Sequence, residues 1–178
     1  GGSKISTKIN VISSLIEKVD NLIIVGAMAN NFFVYKNFKV GKSLVEKNTK
    51  EIIENIYMSA KKNSCKIYIP EDCKVGINFE GDGKNKNLED IQDNEIILDI
   101  GVKKIKNIGK IIDQSNTVLW NGPAGYFEND NFAKGTLSIA ENISQNTINK
   151  SLNSVLGGGD TLAAIKKSKG KLSFSPLS

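Results

Sequence analysis

Val155-Leu156-Gly157-Gly158-Gly159-Asp160-Thr161 is the stretch whose reading decides the fold. Two apolar residues end a strand, three glycines turn the chain, and Asp160 or Thr161 stands ready to cap the helix continuing to Lys167. Glycines let the backbone turn tightly and let a bulky anion approach the N–H groups with no Cβ in the way. Alone, the motif serves equally as a capped turn with no ligand. If phosphate does sit there, the Asp160 carboxylate needs a bridging cation, which makes Mg²⁺ the expected metal and Asp160 its candidate ligand.

Outward from this turn, the same strand–turn–helix unit recurs. Residues 8–19 place Ile9, Ile12, Leu15, Ile16 and Val19 at helical spacing. Leu22-Ile23-Ile24-Val25 is a continuous apolar run suited to a strand buried on both faces. Helices are expected over residues 28–35 and 48–62, then a strand over 66–69 closed by Pro70. Residues 80–94 are polar and glycine-punctuated and read as a surface excursion. Strands over 96–98, 117–120 and 154–156 alternate with helices over 102–112, 132–148 and 161–167, and Lys171-Leu172-Ser173-Phe174 looks like one more strand. This alternation predicts one α/β domain over residues 1–178, a three-layer, Rossmann-like, mostly parallel sheet with helices on both faces. A strand is expected before Gly1, and a turn and helix after Phe174, so both ends read as cut.

Composition narrows the chemistry. The chain has 178 residues, 39% of them hydrophobic and 24% charged, which fits a globular protein. Its net charge is +5, but 19 acidic residues are mixed among the 24 basic ones, so the lysines read as a solvated surface and not as a nucleic-acid stripe. No apolar run reaches the roughly 18 residues a membrane helix needs, so neither nucleic acid nor membrane is an expected partner. There is no His, and Cys65 and Cys73 are isolated; a zinc site and His-based catalysis are excluded, and two free thiols fit a reducing cytoplasm. Catalysis here must rest on Lys, carboxylates, backbone N–H groups and metal.

In such a sheet, ligands sit outside the carboxyl ends of the strands. Three further turns fall at such ends. In Gly1-Gly2-Ser3-Lys4-Ile5-Ser6-Thr7-Lys8, Lys4 and Lys8 can converge on one phosphate, or both can be surface lysines. A cation in the first turn of a helix opposes the helix dipole unless an anion is bound. In Trp120-Asn121-Gly122-Pro123-Ala124-Gly125-Tyr126-Phe127-Glu128, the Asn121 amide leaves a strand end and Glu128 can accept from sugar hydroxyls; alternatively Glu128 and Asp130 cap the following helix. Val25-Gly26-Ala27-Met28 offers a small-residue wall for a flat ring, or ordinary strand–helix packing.

Together these stretches resemble the carboxyl-terminal, nucleotide-binding domain of the phosphoglycerate kinase family. Val40-Gly41-Lys42-Ser43-Leu44, Leu98-Asp99-Ile100-Gly101 and Phe132-Ala133-Lys134-Gly135-Thr136 extend the resemblance in order along the whole chain. It implies reversible phosphoryl transfer between 1,3-bisphosphoglycerate and ADP, with ATP/ADP and Mg²⁺ bound here. Phosphoglycerate would be bound by an amino-terminal domain absent from the sequence. It also implies a cytoplasmic glycolytic enzyme, monomeric at full length. By position, Lys8 resembles a contact to the nucleotide phosphates, Glu128 one to the ribose, and Gly158, Gly159, Asp160 and Thr161 the phosphate turn. Lys4 matches a lysine near the transferred group, so Lys4 and Lys8 are the catalytic candidates. Asn121 and Pro123 match residues lining the nucleotide site, as do Gly2, Ser3 and Gly26, while Leu98 is placed against the adenine. Val25 and Ala27 stand where the family usually has glycine, and Tyr126 where it has a smaller aliphatic residue. The glycine-rich turn expected after Ser178 is missing. A dinucleotide-dependent oxidoreductase is the rival from another class. It lacks a Gly-x-Gly-x-x-Gly after any strand, which leaves Glu46, spaced after Gly26 to hold a ribose, without context. A non-catalytic binding fragment is the third reading.

Overall fold

The computed structural model describes residues 1–176. A 3₁₀ turn, Ser6–Lys8, runs into α1 (Ile9–Ile16), followed by β1 (Asn21–Ile23), α2 (Ala29–Tyr35), α3 (Lys50–Lys62) and β2 (Lys66–Tyr68). Strands β3 (Asp72–Gly76) and β4 (Lys84–Asn87) come next, then β5 (Ile96–Ile100) and α4 (Val102–Asp113). The chain ends with β6 (Thr117–Asn121), α5 (Lys134–Lys150), β7 (Asn153–Gly157) and α6 (Gly159–Lys166).

Side-chain alternation across the first strand builds the layers. Leu22 and Ile24 point into a core formed by Ile12 and Ile16 of α1, Phe32 and Phe33 of α2, and Ile53 and Ile56 of α3. Ile23 and Val25 point the other way, into a core with Ile108 and Ile112 of α4, Ile139 and Ile143 of α5, and Trp120 of β6. A run apolar on both faces must be covered on both faces, and two helical layers do so. The result is the expected three-layer α/β arrangement. α1 lies against α3 on one side and α4 against α5 on the other.

β1 pairs with β2 in parallel, Leu22 opposite Ile67, and β6 pairs with β7 in parallel, with Asn121 opposite Gly157 at the last rung. A third sheet, in the order β4-β3-β5, is antiparallel throughout. It corrects the reading of residues 80–94 as a surface excursion. Lys84-Asn85-Lys86-Asn87 pairs along β3, and Leu88 and Ile91 are buried in the first core. Its strand character comes from the partner strand, since four alternating Lys and Asn residues carry no apolar period. β3 itself was not expected. Its buried Asp72 accepts the N–H groups of Lys103 and Lys104, both at 2.9 Å, and so caps α4 from a distant strand.

Two further expectations are corrected. Residues 171–174 pair with no strand: the N–H of Ser173 donates to Ser144 Oγ at 2.8 Å, and Ser154 and Ser175 exchange N–H to Oγ bonds at 2.9 and 2.8 Å. Side-chain hydroxyls satisfy that backbone where a ladder was expected. Neither Asp160 nor Thr161 caps α6, whose N-cap residue is Gly158. Among the described residues no helix is long and apolar enough to cross a membrane.

Candidate functional site

The carboxyl ends of β1, β6 and β7 bring three turns together beside residues 1–8. The N–H of Gly2 donates to Pro123 O at 3.1 Å, and Gly2 O accepts the N–H of Met28 at 3.0 Å. Gly2 therefore bridges the Asn121–Pro123 turn and the Gly26–Met28 turn. Gly26 has φ +75°, and a Cβ there would lie 2.7 Å from Gly2 N and 2.9 Å from Pro123 O, so only glycine fits.

Lys8, at the N-cap of α1, turns away from solvent into this junction. Its ammonium donates to Gly1 O at 2.6 Å and to Asn121 Oδ1 at 2.7 Å. Burial holds the ammonium below the usual lysine range, and the nearby Asp160 carboxylate pulls the other way. Thr161 is fully buried, and its hydroxyl accepts the N–H of Gly122 at 2.7 Å. That bond fastens the β7 turn to the β6 turn, which explains why Thr161 is not a cap. Asn121 is the shared member: Lys8 holds its Oδ1, while its Nδ2 lies 2.9 Å from where a Gly157 Cβ would stand. Gly158 has φ +90°, and a Cβ on Gly159 would meet nothing within 4 Å. The backbone at the start of α6 is thus open on one side.

A cleft of about 570 Å³ runs from this junction along β5 and the loop after β6. Gly2, Ser3, Gly26, Leu98, Pro123, Glu128 and Asp160 line it. Of the other expected residues, Lys8, Asn121, Gly158, Gly159 and Thr161 form the junction at its end. Lys4 is not among the lining residues. It is exposed, and its charge acts on Glu46. Glu46 accepts the N–H of Ser6 at 3.2 Å and the Ser6 hydroxyl. Although burial pushes that carboxyl upward, the Ser6 bonds and Lys4 outweigh it and hold it below the usual carboxylate range. Glu46 is thus engaged at the 3₁₀ turn, which removes its suggested ribose role. The capping alternative for Glu128 and Asp130 is not realised either. α5 starts at Lys134 without a side-chain cap, and Asp130 pairs with Lys167 at 3.1 Å.

Three features in or beside the cleft go beyond the sequence reading. Phe79 and Tyr126 meet edge to face, ring centroids 5.0 Å apart, and both line the cleft. Asp99 lines the same cleft and accepts the N–H groups of Gly135 and Ile100 at 2.8 Å each. Burial pushes its carboxyl up to about 7, against the pull of those amides and of Lys74 and Lys134. Lys167, at the end of α6, donates to Phe127 O at 2.7 Å and Glu128 O at 3.0 Å. The Leu98-Asp99 and Gly125-Tyr126 motifs hinted at the first two, whereas nothing in the local sequence pointed to Lys167.

Parallel strand pairs between helical layers, with glycine turns gathered at their carboxyl ends over one cleft, define a doubly wound α/β protein. The family model "Phosphoglycerate kinase" matches residues 1–178. The chain belongs to the phosphoglycerate kinase family. It is 45% identical over 166 residues to the phosphoglycerate kinase of Wolbachia sp. subsp. Drosophila simulans (strain wRi), covering 93% of the chain and 42% of the relative. To that of Bartonella tribocorum (strain CIP 105476 / IBS 506) it is 39% identical over 180 residues, 100% of the chain and 45% of the relative. Among solved structures, phosphoglycerate kinase from Coxiella burnetii superposes with a TM-score of 0.88 at 35% identity, over 94% of this chain and 43% of that one. The chain spans less than half the length of the curated relatives it matches.

Proposed function

We propose that this chain supplies the Mg-nucleotide site of a phosphoglycerate kinase, which transfers a phosphoryl group reversibly between 1,3-bisphosphoglycerate and ADP to give 3-phosphoglycerate and ATP. The observation that carries the reading is the junction of Lys8, Asn121, Gly122 and Thr161 at the end of the cleft, next to the open backbone of Gly158 and Gly159. Backbone N–H groups at a helix start and one partly desolvated ammonium suit a polyphosphate. Glu128, across the cleft, takes the ribose hydroxyls. Leu98, Phe79 and Tyr126 face the base, with Gly26 and Ala27 on its other side; Gly2, Ser3 and Pro123 line the path between.

Asp160 is the metal-side residue. Among the described residues no group of three carboxylate, Cys or His side chains could cage an ion. A single exposed carboxylate fits Mg²⁺, which keeps several waters and takes its remaining ligands from substrate phosphates. Bound there, Mg²⁺ neutralises charge on the transferring group. Phosphoryl transfer needs positioning and charge neutralisation more than a side-chain nucleophile, so a site without His suffices. Lys8 supplies positive charge on the donor side, and Lys4, at the exposed rim, serves the transferred group. Phosphoglycerate belongs to an amino-terminal domain outside this sequence, and residues 1–178 form the nucleotide-binding domain.

Trp120 is the single tryptophan, is buried, and its Nε1 donates to Gly122 O at 2.8 Å within the junction. Its fluorescence is expected to change on titration with Mg-ADP and to ignore NAD. A flat response to Mg-ADP, with no heat in calorimetry, removes the nucleotide reading.

A further inference from the structure

We propose that Lys167 is a positioning residue that sets the reach of Glu128 into the cleft, and that it thereby controls recognition of the ribose hydroxyls of a nucleoside diphosphate. The proposal rests on the nucleotide reading above. Lys167 follows α6 directly, so the helix whose first turn faces the phosphate end places this ammonium at its other end. Eight residues at 1.5 Å each separate the two ends by about 12 Å. The ammonium has three donors, and three acceptors of one loop surround it: Phe127 O at 2.7 Å, Glu128 O at 3.0 Å and Asp130 Oδ1 at 3.1 Å. Beneath it, Phe127 packs on Ala164 of α6 and on Ala133.

Lys167 grips Glu128 by its backbone and leaves its side chain alone. Among the described residues the Glu128 carboxylate takes part in no hydrogen bond or ion pair, while the residue lines the cleft. A free carboxylate on a clamped backbone is preorganised, since the cost of ordering the loop is met before a ligand arrives. Asp130 is 91% exposed in its side chain, so its ion pair is the weakest of the three contacts; the two carbonyl bonds carry the positioning.

The test compares Mg-ADP, Mg-2′,3′-dideoxy-ADP and inorganic tripolyphosphate by calorimetry on the unsubstituted chain and on Lys167→Met and Lys167→Arg. The unsubstituted chain is expected to prefer ADP to its dideoxy analogue by about tenfold, the worth of one or two hydrogen bonds to a charged acceptor. Lys167→Met should erase that preference by weakening ADP alone, leaving the dideoxy analogue and tripolyphosphate within about twofold of their original affinities. Lys167→Arg, which keeps donors in reach of both carbonyls, should restore the preference. Loss of all three ligands together in a folded Lys167→Met chain, or a preference that survives it, overturns the proposal. Circular dichroism checks the fold, and Lys167→Gln replaces Lys167→Met if the latter does not fold. An unsubstituted chain that binds Mg-ADP without preferring its hydroxyls overturns this inference while the nucleotide reading stands. A chain that binds no Mg-ADP overturns both.

Discussion

Lys8 has a structural commitment and, on the proposed reading, a functional one. Its ammonium is committed to Gly1 O and Asn121 Oδ1, and burial disfavours its charge, so an anion arriving at Gly158–Thr161 would relieve an existing cost. Lys8→Met keeps the stem and removes that charge. We expect ATP and ADP to bind roughly tenfold or more weakly, the scale of one charge-assisted bond, with adenosine unaffected. Equal weakening of adenosine in a competition titration would mean that Lys8 touches no phosphate. Asp99 gives a second residue-scale prediction. Its folded carboxyl is raised from 3.8 to about 7, so the folded state holds a proton that the unfolded state releases. Stability from this group is fully present below about 3.8 and is lost as pH rises through about 7. Between those limits the denaturation midpoint of the unsubstituted chain should fall with pH relative to that of Asp99→Asn, which has no carboxyl to ionise. Parallel pH profiles for the two proteins would refute the assignment.

At the scale of elements, the glycine turn before α6 separates into two jobs. Gly158, at φ +90°, is required by the backbone, and Gly158→Ala should cost on the order of 1–3 kcal/mol in urea unfolding. Gly159 has empty space where a Cβ would stand, so Gly159→Ala should leave stability unchanged or slightly improved. If the empty space is where phosphate approaches, the same substitution should weaken Mg-ADP several-fold. Unchanged affinity in Gly159→Ala would put the phosphates elsewhere. This division was not legible in the sequence, where three consecutive glycines look alike. The elements themselves were legible wherever apolar period and length agreed, as in α3, α4, α5 and the strand at Leu22-Ile23-Ile24-Val25. They were not legible where a partner imposed the structure. β4 is Lys-Asn-Lys-Asn held by β3, and β3 is a short strand whose first residue, Asp72, caps a helix distant in sequence. Residues 171–174 have the opposite character: their apolar spacing suggested a strand, yet hydroxyls of Ser144 and Ser154 satisfy the neighbouring backbone. The candidate site residues follow the same logic. Turn glycines, Asn121 and Asp160 announce themselves locally. Lys167 does not, because what it grips is the backbone of residues 127 and 128, some 40 positions away.

Across the whole molecule, the proposed reading gives the cleft one substrate, the nucleotide, and leaves its open side to a second. Its described walls gather apolar and aromatic groups together with Asp160 and glycine backbone, and Lys8 stands in the junction at its end, surroundings that suit a base, a sugar and a polyphosphate. Transfer of the terminal phosphoryl group also requires an acceptor held in line and water kept out while the bond breaks. At this cleft Ser3 and Asp160 are exposed, so the proposed reading assigns acceptor binding and water exclusion to a further domain. The curated relatives are more than twice as long as this chain, and on the proposed reading closure of a second domain would complete the site. We therefore predict that the chain alone binds Mg-ADP, seen by Trp120 fluorescence, yet gives no turnover above the blank in a coupled assay with 3-phosphoglycerate and ATP. Binding without turnover is the specific signature, because a misfolded chain would lose both. Steady turnover by the chain alone would place the acceptor site within residues 1–178 and overthrow the two-domain mechanism.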